Sequence, residues 1–450
     1  MDKQYFHHAL KISEPNCIGC THCIKVCPTE AIRVKNGKAH LFENRCVDCG
    51  ECFRVCPVNA IYVDHDDFMQ IFNYNYRIAL VPGVLIGQFP ENISTQQIYS
   101  ELIAIGFTHV FEIEHTVDLL LEAREDFKKK NPSIKPLIST FCPAVIRLIQ
   151  VKFPALVDNL ILLKSPLDIA ALYYKKLLTE QGFTENEIGI FYITPCAAKI
   201  AAVKSPVGEE KSTITGVINL DFIYNKIYKG IKQNGKDYCA VPQKDELDSK
   251  GILWSLTNGE RDTSDGRALA IDEIHNVIEF LEKIESEEIS DIDFLELRAC
   301  DESCAGGVLT SGNRFLTVER MKNRAKSTDE NQTKESCISK ELNNYKKFLI
   351  ENMNVSKIMP RSMLKLDEDM SEAIKKMGKM HEIMEYLPKT DCGMCGASTC
   401  QTLAEDIVMS RADITDCVFI QRIMEQKGSM TMNEAIAKMK RIWGDKFNTK

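Results

Sequence analysis

From residue 77 to about residue 300 the chain alternates short apolar runs with segments of helical periodicity. Arg77–Val81, His109–Glu114, Pro136–Thr140, Leu160–Lys164, Ile188–Thr194 and Phe294–Ala299 are compact and apolar and read as strands. Between them, Val117–Lys130, Ala144–Lys152, Leu167–Gln181 and Asp272–Glu285 carry apolar residues at helical spacing. Such alternation predicts an α/β body with mostly parallel sheets. Residues 326–345 are polar and rich in Lys, Glu and Asn, which predicts an exposed linker or helix end. Helices are expected over Leu366–Tyr386 and Gln401–Ile414. The division expected is therefore 1–75, 76–350 and 351–450.

Bulk properties narrow the class. The 450 residues suffice for two to four domains, and 44% hydrophobic content allows a sizeable core. A net charge of −8 makes no electrostatic case for nucleic acid or an anionic membrane. No apolar run approaches the ~18–20 residues of a spanning helix. Met1–Leu10 is polar and lacks the apolar stretch of a secretion signal, so a cytoplasmic location is expected. The 18 cysteines are clustered, which in a chain of this length argues for metal rather than a disulfide scaffold.

Cys17, Cys20, Cys23 and Cys27-Pro28 are repeated as Cys46, Cys49, Cys52 and Cys56-Pro57, a period of 29 residues. Thiolates are the soft ligands an iron–sulfur cube needs, and two-residue gaps let three sulfurs converge from a tight loop. The fourth cysteine is expected to begin a short helix that crosses to the other cube. One cube then uses Cys17, Cys20, Cys23 and Cys56, and the other Cys46, Cys49, Cys52 and Cys27. Zinc is the alternative for such spacing. His22 is read as a neighbour of the first site. These residues resemble bacterial two-cluster ferredoxins.

Three predicted strands run into cysteines: Cys142-Pro143, Pro195-Cys196 and Cys300-x3-Cys304. Ligands gather beyond the carboxyl ends of strands in α/β sheets, so these four could hold one cluster; the alternative is small core residues. Near the end, Asp391-Cys392-Gly-Met-Cys395-Gly is followed by Cys400 and Cys417. This set resembles the single-cluster 4Fe–4S domain of electron-transport and corrinoid proteins, with zinc again the alternative. Cys239 and Cys337 are taken as non-ligands, and the Met-rich stretch Met424–Met439 as helix packing.

The strand-end segments resemble the three signature loops of the iron-only (FeFe) hydrogenase catalytic domain: Thr-Ser-Cys-Cys-Pro, Met-Pro-Cys-x-x-Lys-x-x-Glu and Glu-x-Met-x-Cys-x-x-x-Cys. The match covers roughly residues 77–330. It implies that Cys142, Cys196, Cys300 and Cys304 hold the cube of an H-cluster. Cys304 would also bridge to a diiron subcluster bearing CO, cyanide and a bridging azadithiolate. It further implies that Lys199 hydrogen-bonds an iron-bound cyanide, and that Pro82-Gly83 lines the pocket.

Several positions depart from the family. Phe141 replaces the cysteine that gives the final proton to the bridging amine, Thr194 and Arg298 replace methionines, Ala202 replaces the glutamate, and Ser303 a glycine. Phenylalanine cannot carry a proton, so the usual relay is cut. Arg298 makes the pocket more polar. Glu296 is either part of another proton route or a partner of Arg298. These departures resemble the branch of the family considered hydrogen sensors. The resemblance implies a slow FeFe-type hydrogenase acting on H2 and protons. Its four 4Fe–4S clusters would pass electrons to a ferredoxin-like or signalling partner. A homodimer is compatible with the sequence. The rival expectation is a non-catalytic redox sensor, scaffold or electron-transfer subunit without the diiron site.

Overall fold

The computed structural model describes residues 6–234, 247–331, 337–361, 366–367 and 369–447. The chain forms two compact units. Residues 65–360 with the first nine residues make one, and residues 10–64 with 361–450 make the other. The first and third stretches of the expected division thus share a unit.

In the 10–64/361–450 unit, strand β1 (Leu10–Ile12) pairs antiparallel with β4 (Ile61–Val63), closing the ends of the repeat. Strands β2 (Ile32–Lys35) and β3 (Lys38–Leu41) form a hairpin. Short helices His22–Val26 and Glu51–Arg54 occupy equivalent places in the two repeats. Each precedes its fourth cysteine rather than starting at it: Cys27 is extended at the end of the first helix. The three-residue gap before Cys27 and before Cys56 is spent on the helix itself. The rest of the unit is helical: Met370–Tyr386, Cys400–Val408, Val418–Gln426 and Met432–Trp443. The helix expected over Gln401–Ile414 stops at Val408. Ser410 is left-handed (φ 57°), and the Arg411 and Ala412 N–H groups turn back onto the Asp406 carbonyl, a helix-ending geometry.

The 65–360 unit carries two parallel sheets. Strands β5 (Tyr76–Val81), β6 (His109–Glu112), β8 (Ile188–Thr194) and β9 (Gly216–Asn219) lie in the order β6-β5-β8-β9. Strand β7 (Leu137–Ile138) joins β10 (Ala268–Ile271) and β11 (Phe294–Leu297) in the order β10-β11-β7. All seven residues of β8 are buried, as a central parallel strand covered on both faces requires. Helix Pro166–Glu180 starts at a capping box, Ser165 with Asp168, with Pro166 at its first position. Leu160–Lys164 forms no strand. It makes only single bridges, Ile138 to Leu160 and Leu163 to Asn354, because β7 is two residues long and offers no continuing ladder. The stretch 326–345, expected to be a linker or helix end, holds the end of helix Arg314–Asn331 and the start of helix Cys337–Glu351. Among the described residues, no helix is long and apolar enough to cross a membrane.

Two buried ion pairs knit the 10–64/361–450 unit: Arg33 with Asp406 at 2.6 Å, and Arg45 with Glu405. Arg45→Met leaves Glu405 buried without a counter-charge and is expected to cost about 3–5 kcal/mol. Replacing both members by apolar residues should recover most of that loss. Chemical denaturation of the iron-loaded protein, followed at a signal of this unit, checks it.

Candidate metal centres

In the 65–360 unit the cysteines stand where parallel strands end. Cys142 follows β7 and caps helix Pro143–Lys152; Cys196 follows β8 and caps helix Ala197–Lys204. Thr194 accepts the Cys196 N–H (3.2 Å) and donates to the Cys196 carbonyl (3.0 Å), fixing that turn. Cys300 and Cys304 follow β11. The Cys304 N–H donates to the Ser255 carbonyl at 3.2 Å. A side chain at Gly307 would collide with the Pro195 carbonyl, so the glycine allows the third loop to lie against the second.

These thiols feel one another. Burial pushes Cys196 up to about 12; the charges of Cys304 and Cys142 add to the rise, and Lys199 opposes it. Cys304 is raised by burial and Cys142, against Lys199 and Arg298. Cys300 opens the loop, half-buried, its carbonyl accepting the Ser303 N–H at 3.0 Å.

Lys199 and Arg298 both lie against the Phe141 ring, with the Lys199 Nζ 4.4 Å and the Arg298 guanidinium carbon 3.9 Å from its centroid. Lys199 donates to the Tyr192 hydroxyl (3.2 Å). Burial works against its charge, but Tyr192, Cys304 and Cys196 outweigh burial and hold it protonated. Arg298, 2% exposed, pairs with Glu260 at 2.8 Å and Glu296 at 3.3 Å. Glu296 accepts the backbone N–H groups of Asn258, Glu260 and Arg261 at 3.2, 3.0 and 2.8 Å. Ser139 donates to Glu260, tying the first loop to the same knot. Pro82 and Gly83 follow β5, and both Glu114 carboxylate oxygens accept the Gly83 N–H at 3.1 and 3.0 Å. Burial and Glu112 push Glu114 up to about 8, with Gly83 and Lys199 opposing. A cavity of about 90 Å³ adjoins Thr140, Phe141, Lys199 and Ala202.

The donor set fits a metal–sulfur group with an anionic attachment. Converging, partly buried thiols, free of disulfides, call for a multivalent counter-charge to ionise. Arg298 Nη1, Trp254 Nε1 and Ser255 Oγ are buried without a protein hydrogen-bond partner; Arg298 and Ser255 adjoin Cys304, and an acceptor-bearing group there would satisfy their donors.

The 10–64/361–450 unit brings together three more sets. Cys23 is pushed up to about 12 by burial, with Cys20, Cys17 and Cys56 adding. Cys46 rises through burial, Asp48, Cys52 and Cys27; Cys49 through burial and Cys27. The fourth cysteine of each repeat therefore sits with the other repeat's triplet. Backbone N–H groups of Ala31 and Ala60 point at Cys27 and Cys56 sulfur, at 3.1 and 3.2 Å. Cys392, Cys395, Cys400 and Cys417 line one small cavity, and burial pushes Cys395 up to about 12, with the other three adding. Asp391 accepts the Cys400 N–H at 2.7 Å. Cys239 lies outside the described residues, and Cys337 opens the helix Cys337–Glu351.

Sequence reasoning missed Glu114, Glu260 and Trp254. Glu114 follows β6, so the strand-end rule that singled out the cysteines would have found it. Glu260 has no local signal, since its partner Arg298 lies 38 residues away.

Comparison with known proteins finds family models that match parts of this chain. Residues 78–221 match the model "Iron only hydrogenase large subunit, C-terminal domain". Residues 10–63 match "4Fe-4S dicluster domain", and residues 387–419 match "Putative Fe-S cluster". The NADP-reducing hydrogenase subunit HndD of Solidesulfovibrio fructosivorans is 24% identical over 251 residues, 52% of this chain and 39% of that protein. The periplasmic Fe hydrogenase large subunit of Nitratidesulfovibrio vulgaris is 27% identical over 278 residues, 56% of this chain and 66% of that one. The chain thus spans less than two thirds of either relative. A solved structure of a variant of the FeFe-hydrogenase HydA1 from Chlamydomonas reinhardtii is 14% identical, covers 63% of this chain and 94% of its own, with a TM-score of 0.49. The chain is therefore an iron–sulfur protein related to the FeFe hydrogenases, in which the C-terminal domain of their large polypeptide lies between a 4Fe–4S dicluster domain and a further iron–sulfur domain.

Proposed function

We propose that the 65–360 unit binds an H-cluster. Its cube is held by Cys142, Cys196, Cys300 and Cys304, and its diiron group, with CO, cyanide and a bridging azadithiolate, is attached at Cys304. The protein then interconverts dihydrogen with protons and electrons at a low rate, in a hydrogen- or redox-sensing role. The observation that carries this reading is the gathering of Cys142, Cys196 and Cys304 from three strand ends around a buried, protonated Lys199. When bound, the diiron group supplies the metal site at which dihydrogen is held and split.

The chain's own residues set the conditions. Lys199 offers its ammonium to an anionic ligand, and in a buried pocket such a charge-assisted bond is strong. Arg298 adds a second cation. Phe141 fills the space between loop and cations with a ring that excludes water and holds no proton, which is the reason for expecting slow turnover. Glu296 spends its oxygens on three N–H groups and Arg298, so the pairing role is the one the geometry favours. Glu114 keeps its proton at neutral pH while feeling the charge of Lys199. The clusters of the other unit take up and release electrons, with a ferredoxin or a signalling protein as partner.

A second reading is a redox sensor or scaffold that keeps the cubes and lacks the diiron group. The contact of the Phe141 ring with both cations favours it, because their charges are already partly engaged.

After maturation with the diiron cofactor, the first reading expects infrared bands of iron-bound CO and cyanide; a fully matured protein without them leaves only the second. Phe141→Cys is expected to raise hydrogen turnover by up to about 100-fold. An unchanged rate would show that proton delivery at this position is not limiting. A third expectation concerns pH. The folded state holds Glu114 protonated up to about 8, whereas the unfolded chain releases that proton near the ordinary carboxyl value. Its contribution to stability is full below the ordinary value and is lost as pH rises through about 8. Glu114→Gln should flatten the decline in stability between pH 5 and 9, measured by denaturant titration; parallel curves would contradict the shift.

A further inference from the structure

The C-terminal cysteine set was expected to belong to a separate module. Its packing against the N-terminal repeat is of another kind. The edge of the β2–β3 hairpin is extended by C-terminal backbone. The Val34 N–H donates to the Gly396 carbonyl (2.8 Å), Asn36 to Arg441 (3.0 Å) and Gly37 to Ile442 (2.8 Å). A side chain at Gly396 would collide with the Val34 carbonyl, so the loop carrying Cys395 comes this close only as glycine. Lys446 donates to the Gly19 carbonyl at 2.7 Å, inside the first cysteine loop.

Ligand-bearing segments also meet one another. Ile24, next to Cys23, lies against Gly393, next to Cys392: a Cβ there would be 3.5 Å from the Ile24 methyl. Glu30, three residues after Cys27, accepts hydrogen bonds from Thr399 (3.0 Å) and Thr402 (2.6 Å), which flank Cys400. The helix that starts at Cys400 contributes Glu405 and Asp406 to the buried pairs with Arg45 and Arg33. A unit of roughly 145 residues has a radius of gyration of about 15 Å, which bounds the separations of sites inside it.

We infer that the C-terminal four-cysteine site exchanges electrons directly with the N-terminal pair, and that the Glu30–Thr399/Thr402 bridge is the contact that holds the two ligand segments at exchange distance. In each exchange one cube gives up one electron and is oxidised, and the other accepts it and is reduced, with no obligatory proton. Among the sixteen cysteines whose side chains are described, Cys392 alone is exposed, so this site is also the edge of the relay most open to an external redox partner. The inference concerns this unit alone and does not depend on the diiron reading.

Electron paramagnetic resonance of the full-length, iron-loaded protein tests it. In the fully reduced protein the C-terminal signal is expected to be broadened and fast-relaxing through dipolar coupling to the N-terminal spins. Oxidising the N-terminal pair should remove that broadening. Glu30→Gln combined with Thr402→Val keeps every cysteine and should slow the equilibration of a sub-stoichiometric reductant between the sites, read by rapid freezing. Cys395→Ala should remove the C-terminal signal together with its broadening of the others. A C-terminal signal that saturates as an isolated spin in the reduced wild type overturns the inference. So does equilibration at wild-type speed in the double variant. Neither outcome bears on whether CO and cyanide bands are present.

Discussion

A thiolate buried without a counter-charge is costly, and that constraint shapes both units. Burial raises Cys46, Cys52, Cys196 and Cys304, and neighbouring thiols raise them further. Apolar packing alone would never gather such groups. They are held by backbone devices instead: strand ends in one unit, and left-handed residues in the other. The repeat carries these at equivalent places, 19 and 48, 21 and 50, 30 and 59. The folded chain accepts an electrostatic penalty that iron removes, so metal and fold are linked.

The two units meet that penalty differently. Near Cys196 and Cys304 the protein adds its own cations, Lys199 and Arg298, and then moderates Arg298 with Glu260 and Glu296. Around the repeat it relies on backbone N–H donors to sulfur, from Ala31, Ala39 and Ala60. Fixed backbone dipoles suit sites that only change charge by one electron. Full cations suit a site that must also carry anionic ligands, which agrees with the roles proposed for each.

What was legible in the sequence was what is local. The cysteine spacing marked residues 10–63 as a two-cluster stretch, and apolar runs predicted β5, β8 and β11 closely. Strands β9 and β10 were missed because Gly216–Asn219 and Ala268–Ile271 are only four residues long and lie next to polar stretches, too short for an apolar run to stand out. The Lys- and Glu-rich segment around 326–345 read as a linker or helix end, and the length of the helix that ends at Asn331 went unread because a helix with mostly polar faces lacks an apolar stripe. The union of the two chain ends was invisible. It rests on pairs such as Arg33 with Asp406, 373 positions apart, and on backbone bonds that any residue could make.

That union has a consequence for synthesis. Residues 10–64 leave the ribosome before residues 361–450, but the strand edge at Val34, Asn36 and Gly37 finds its partners in Gly396, Arg441 and Ile442. At ordinary elongation rates the intervening chain takes roughly 20–80 s to make. For that interval the nascent protein displays an open β-edge, with Arg33 lacking Asp406 and Arg45 lacking Glu405, beside thiols not yet enclosed. A holding factor, or early delivery of iron to the repeat, has its period of greatest use before residues 361–450 are made.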